Sequence, residues 1–105
     1  MTGSILNPIV DKEYVIAVFD EILGSLNTIT TGNCVHKINS LRFTARFEAH
    51  IIRKNLGTIK EYDSLKQIAE LLDKIKLGSK DFIHDINTIK RICRDNISYI
   101  KGFGL

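Results

Sequence analysis

Apolar side chains recur at intervals of three and four residues along most of the chain, the spacing typical of amphipathic α-helices. The clearest stripe consists of Leu65, Ile68, Leu72 and Ile75, with polar and charged side chains on the opposite face. A helix containing this stripe would end before Gly78. No segment carries a competing strand pattern, so the sequence predicts an all-α protein.

Capping residues and glycines predict where the other helices begin and end. In the first half, Asp11 is placed to cap a helix over about 12–27, and Gly57 to end a second helix over 34–56. A last helix is expected over about 82–101. Each half of the chain therefore has the pattern of helix, short loop and helix.

The two halves are similar to one another at an offset of 48 residues. Residues 12–14 recur as 60–62, and segment 35–42 recurs as 83–90. Both segments contain His-x-Ile-Asn, preceded by Val35 in the first copy and by Ile83 in the second. A period of this size usually reflects one repeated supersecondary unit. This self-similarity indicates an internal duplication.

A single helical hairpin cannot bury its own apolar stripe on both sides, whereas two hairpins can cover each other. We therefore predict a four-helix bundle built from two tandem, pseudo-symmetric helical hairpins. The repeats would span about 12–57 and 60–104, within a single helical domain over 1–105.

The composition is that of a globular protein, with 44% hydrophobic and 26% charged residues in 105. No apolar run approaches the roughly 20 residues that cross a bilayer. The N-terminus lacks the basic and apolar regions of a secretory signal. We expect a cytoplasmic protein with no membrane association.

The first half carries a second apolar face that the second half lacks. Positions equivalent to three of its residues are occupied by Arg91, Asp95 and Tyr99 in the second half. A helix that is apolar around most of its circumference is either central or covered by a partner. The expected partner-interface residues are Ile16, Phe19, Leu23, Phe43, Phe47 and Ile51. A second copy, a foreign protein or the segment from Ile5 to Val10 could provide the cover.

A polar stripe with several cations runs along the second helix of each predicted hairpin. Its members are His36, Asn39, Arg42, Arg46, His50 and Arg53 in one copy, and His84, Asn87, Lys90, Arg94, Ser98 and Lys101 in the other. Together with a net charge of +3, two such stripes could form one cationic surface for a phosphate backbone. The alternative is two solvated helix faces.

The repeated His and Asn residues allow two further interpretations. Both pairs could hydrogen bond across the seam between the hairpins and fix its register. The stretch from His36 to Ser40 is also loosely similar to the phosphoacceptor segment of histidine phosphotransfer domains, which are helical bundles with the histidine exposed on a helix. That resemblance implies His36 as a phosphoacceptor, although Asn39 stands where the family typically has a basic residue.

The sequence gives little indication of metal binding or catalysis. Cys34 and His36 supply two soft ligands, but His84 and Cys93 are nine positions apart and face opposite ways on a helix. Both cysteines are expected to be buried, and no metal or cofactor is expected. Neither an acid pair nor a Ser/His/Asp set is marked out by local sequence, so we expect no enzymatic activity.

These observations favour a non-enzymatic helical protein–protein interaction or regulatory protein, homodimeric through the apolar face of the first hairpin. The alternative is a small nucleic-acid-binding protein that uses the paired cationic stripes. An apolar contact would be insensitive to salt, whereas binding to phosphates would weaken steeply as salt rises.

Overall fold

The computed structural model describes residues 9–105, which form four α-helices. They are α1 (Lys12–Asn27), α2 (Cys34–Leu56), α3 (Lys60–Lys74) and α4 (Phe82–Phe103). The described range contains no strand, and the predicted all-α four-helix bundle is confirmed. None of its helices is long and apolar enough to cross a membrane.

Local signals set the helix ends much as the sequence predicts. The Asp11 carboxylate accepts a hydrogen bond of 3.0 Å from the backbone N–H of Tyr14, which caps α1. At the end of α2, Gly57 has a φ of 83° and its N–H donates to the carbonyl of Arg53. The last helix continues to Phe103, two residues beyond the expected end.

The helices do not pack most closely within the two predicted hairpins. The most extensive contacts join α2 to α3 and α1 to α4, whereas α1–α2 and α3–α4 contacts are smaller. A short connection over 57–59 brings α2 and α3 together, and longer connections over 28–33 and 75–81 allow the other helices to separate. As a result, α2 and α4 lie at diagonal corners of the bundle.

The core is formed by apolar side chains from all four helices. Its fully buried members include Val15, Phe19, Ile22, Ile52, Leu65, Ile68, Leu72, Ile89, Cys93 and Ile100. Burying one large apolar side chain contributes about 1.5–3 kcal/mol. Both cysteines are free and buried, as expected, and burial raises the pKa of the Cys93 thiol to about 12.

Burial follows the proposed repeat in one pair of helices and departs from it in the other. In α2 and α4 the buried positions correspond at the offset of 48: Ile38 with Ile86, Leu41 with Ile89, and Ile52 with Ile100. In α1 and α3 they correspond at an offset of 50: Val15 with Leu65, Val18 with Ile68, and Ile22 with Leu72. Glu61 is consequently buried while its aligned counterpart Glu13 is exposed. The duplication stays a prediction.

Candidate functional site

Two stacked phenylalanines on α2 form an exposed apolar pair on the helix surface. Phe43 is 69% exposed and Phe47 is 49% exposed. Their ring centroids lie 5.8 Å apart, and the ring planes differ by 11°. We refer to Phe43 and Phe47 as the phenylalanine face.

The position of this face follows from the geometry of α2. Leu41 and Ala45 are buried, and Phe43 lies two residues from each, on the opposite side of a helix with 3.6 residues per turn. Because the side of α2 that carries Leu41 and Ala45 packs into the bundle, Phe43 faces solvent. Ile51 is half-buried beside this face.

The α1 residues of the expected interface do not join the phenylalanine face. Phe19 is fully buried in the core, which corrects its expected place at an interface. Ile16 and Leu23 are partly buried and pack against the same core. The physical reason is that α1 contacts both α2 and α4, so its two apolar stripes are used inside the bundle.

The N-terminal segment considered as an intramolecular cover extends from Ile5 to Val10. Its first four residues lie outside the described residues. Ile9 is exposed, whereas Val10 is partly buried against the core. The described residues of this segment therefore do not cover the phenylalanine face, which stays exposed.

Arg42 is held by the end of α3 and is not a freely exposed cation. Its Nε donates to the carbonyl of Leu72 at 2.9 Å, and Nη2 donates to the carbonyl of Ile75 at 3.4 Å. Its Nη1 donates to Asn39 Oδ1 at 2.9 Å. Helix C-termini leave carbonyls without intrahelical partners, and Arg42 satisfies two such groups.

Apart from Lys90, the remaining stripe residues are exposed, but they are divided between two surfaces. Arg46, Arg53, Arg94 and Lys101 are all exposed, as predicted. Because α2 and α4 occupy diagonal corners, their solvent-facing sides point away from each other. The structure therefore does not bring the two stripes together into one broad cationic surface.

The repeated His and Asn residues do not lie in a seam. His36, Asn39, His84 and Asn87 are all exposed, so the interpretation as a buried register device is wrong. The stripe helices meet the bundle through their apolar sides, which turns the polar side to solvent. Lys90, the remaining α4 cation of the set, is half-buried.

A groove between α2 and α3 brings charged residues of both helices together. It has a volume of about 300 Å³. The lining residues are Arg46, Ala49, His50, Arg53, Tyr62, Lys66, Ala69, Glu70 and Asp73. The sequence pattern did not place Tyr62 or Lys66 in a site, because their proximity to α2 depends on helix packing. We refer to this feature as the α2–α3 groove.

Tyr14 and Glu48 form a polar contact between α1 and α2. The Tyr14 hydroxyl donates to Glu48 Oε1 at 2.5 Å. Burial and this hydrogen bond to a carboxylate raise the pKa of Tyr14 to about 12. The contact stabilises the protonated phenol and joins two helices.

Across residues 9–105, no three His, Cys, Asp or Glu side chains are grouped so that they could hold a metal ion. No protein-family model, curated protein or solved structure matches the chain. Function is therefore inferred from the chain's own surfaces.

Proposed function

We propose that this protein is a non-enzymatic protein–protein interaction module that forms a homodimer through the phenylalanine face of α2. The observation that carries the proposal is the exposure of two stacked aromatic rings on one helix. Soluble monomers rarely leave large contiguous apolar patches open, and such patches are typical of interaction sites.

The geometry of the face suits a second copy of the same chain. Phe43 and Phe47 are one helical turn apart, and a twofold axis between two facing α2 helices would place each ring against a ring of the partner. Such an isologous contact uses the same patch on both subunits. Polar residues at the edge, including Asn39 and His50, would provide the solvent-accessible rim that is typical of interfaces.

Free-energy magnitudes suggest a reversible dimer. Burial contributes about 1.5–3 kcal/mol for each large apolar side chain. Phe43 and Phe47 are already partly buried in the single chain, at 69% and 49% exposure. The four phenylalanines of a symmetric dimer would therefore contribute roughly 4–7 kcal/mol, and association costs about 4–15 kcal/mol before any contact is made. These ranges overlap, so we expect the fraction of dimer to depend on protein concentration.

The test is sedimentation velocity of the wild type and a Phe47→Glu variant. Glutamate would place a charge in the contact, so we expect the variant to sediment as a monomer with unchanged helical circular dichroism. Asp95→Lys, at the equivalent position of α4, serves as the matched control and should sediment like the wild type. A Phe47→Glu variant that dimerises as tightly as the wild type would contradict the proposal.

Nucleic-acid binding through α4 is the second candidate function. Arg91, Arg94 and Lys101 are exposed on this helix, and none forms a salt bridge to another described residue. Binding to an oligonucleotide should then weaken as salt rises. For duplex DNA, the logarithm of the association constant should fall against the logarithm of salt concentration with a slope of about −0.9 per phosphate contacted. Charge reversal at Arg94 should reduce this binding and leave the dimer intact. An affinity that does not change with salt would exclude this function.

A further inference from the structure

The α2–α3 groove has a shape and lining that differ from those of the phenylalanine face. Ala49 and Ala69 contribute small side chains where the two helices meet, and longer polar side chains line the same groove. Its volume of about 300 Å³ is at the lower end of the range for small-molecule sites.

The two ends of the groove differ in charge. Since α2 and α3 are joined by the short connection 57–59, residues close to that connection on either helix lie at the same end. Arg53 and His50 on α2 and Tyr62 and Lys66 on α3 lie toward this end, and both carboxylates of the groove, Glu70 and Asp73, follow Lys66 on α3. We refer to these four residues as the cationic end.

The opposite end of the groove holds one cation and two carboxylates. Arg46 forms an ion pair with Asp73 there, and Glu70 contributes a further carboxylate. Glu70 lies four residues after Lys66 on α3, but the two side chains are not within ion-pair distance. Within the described part of the chain, neither Arg53 nor Lys66 forms an ion pair, so no carboxylate of the protein neutralises either charge. The Lys66 ammonium lies over the Tyr62 ring, 5.5 Å from its centroid.

We propose that the cationic end of the α2–α3 groove binds the phosphate group of a small phosphorylated molecule. A guanidinium, an ammonium, an imidazole and a phenol can all donate hydrogen bonds, and a phosphate offers several acceptor oxygens and negative charge. Arginine in particular matches phosphate through paired donors.

The end of the groove that holds Glu70 and Asp73 makes a phosphate monoester a better fit than a free anion. The carboxylates of Glu70 and Asp73 can accept hydrogen bonds from hydroxyl or amino groups of a ligand but would repel a second anionic group. The groove therefore favours a ligand with one phosphate and a polar, uncharged or basic remainder. This site is independent of the proposed dimer, because its lining residues do not include Phe43 or Phe47.

The experiment is an NMR titration of the ¹⁵N-labelled full chain with inorganic phosphate and with glycerol 3-phosphate, at constant ionic strength maintained with sodium chloride. We expect saturable amide shifts confined to residues around the α2–α3 groove, with glycerol 3-phosphate binding more tightly. Arg53→Gln or Lys66→Gln should weaken binding roughly tenfold, the effect of losing one charge-assisted hydrogen bond.

Lys101→Gln is the matched control, because Lys101 is the α4 counterpart of Arg53 and lies outside the groove. It should leave the affinity unchanged, and unshifted amide spectra of all variants would verify their folds. Shifts that do not saturate, or that spread equally over α4, would overturn the proposal. Equal weakening by Lys101→Gln and Arg53→Gln would also overturn it, since it would indicate non-specific attraction to positive charge.

Discussion

Arg42 connects two helices by binding backbone groups that α3 leaves without partners. Its hydrogen bonds to the carbonyls of Leu72 and Ile75 cross from the middle of α2 to the end of α3. The side chain is partly shielded from solvent, so water does not fully replace these contacts. A cation at a helix C-terminus also interacts favourably with the helix dipole.

Replacing Arg42 with methionine should therefore lower the free energy of unfolding by about 1.5–3 kcal/mol, the range for hydrogen bonds to a charged group. Methionine keeps the apolar stem of the side chain and removes its donors. Arg91→Met on exposed α4 should change stability by no more than about 0.5 kcal/mol. Urea unfolding of both variants provides the comparison, and equal stabilities would contradict the proposed role of Arg42.

Tyr14 should make stability sensitive to alkaline pH. Its pKa is raised from 10.0 to about 12 in the folded protein, so between these values the folded state keeps a proton that the unfolded chain loses. The corresponding stability is present below pH 10 and is lost as pH rises toward 12. Cys93 acts in the same direction, since its pKa is raised from 9.0 to about 12.

A Tyr14→Phe variant should be less stable than the wild type at pH 8, by roughly 1.5–3 kcal/mol for one hydrogen bond to a carboxylate. The difference should shrink as the pH approaches 11, because the variant has no phenol to ionise at this position. Chemical unfolding at pH 8 and 11 measures both quantities, and Tyr99→Phe is the control at an exposed tyrosine. A stability difference that is independent of pH would argue against the Tyr14–Glu48 contact.

At the residue scale, sequence patterns predicted the buried stripe of α3 but did not separate core from surface among the phenylalanines. Phe19, Phe43 and Phe47 all occupy apolar helical positions, but Phe19 is in the core and the other two are exposed. The difference arises because Phe19 lies on a side of α1 that packs into the bundle, whereas the phenylalanine face lies on the side of α2 away from the core. This distinction depends on contacts between helices that local periodicity does not contain.

At the element scale, the helix limits were largely predictable because short-range signals determine them. Asp11 caps α1, and Gly57 adopts the positive φ that ends α2. The rotation of α3 was not predictable from the repeat, since its buried positions are displaced by two residues relative to those expected from α1. Nor did the sequence place Lys66 beside Arg53, because that proximity depends on the packing of α2 against α3.

Substitutions of two glycines, one inside α1 and one at the end of α2, compare the effects of backbone preference on stability at these two positions. Gly24 lies inside α1 and has open space around its missing Cβ, so Gly24→Ala should stabilise the protein by about 0.5–1 kcal/mol. Gly57→Ala should destabilise it by roughly 1–2 kcal/mol, because its φ of 83° is unfavourable for a residue with a Cβ. Thermal unfolding of both variants should give shifts of opposite sign. Destabilisation by both would show that Gly24 is needed for more than helix continuity.

At the scale of the whole molecule, the bundle separates its candidate surfaces. The phenylalanine face lies on α2, whereas the exposed cations Arg91, Arg94 and Lys101 lie on the diagonally opposite α4. A dimer that forms through α2 would leave both α4 helices exposed at its outer sides. The apolar and cationic surfaces can therefore be tested separately by substitution.

The most direct test of the proposed function is the molar mass of the wild-type chain, measured by sedimentation equilibrium over a series of protein concentrations. We predict a rise from 11.9 kDa toward twice that value as concentration increases. Because the proposed contact is apolar, added salt should not reverse the rise. A mass of 11.9 kDa at every concentration, with Phe43 and Phe47 still exposed, would contradict the homodimer.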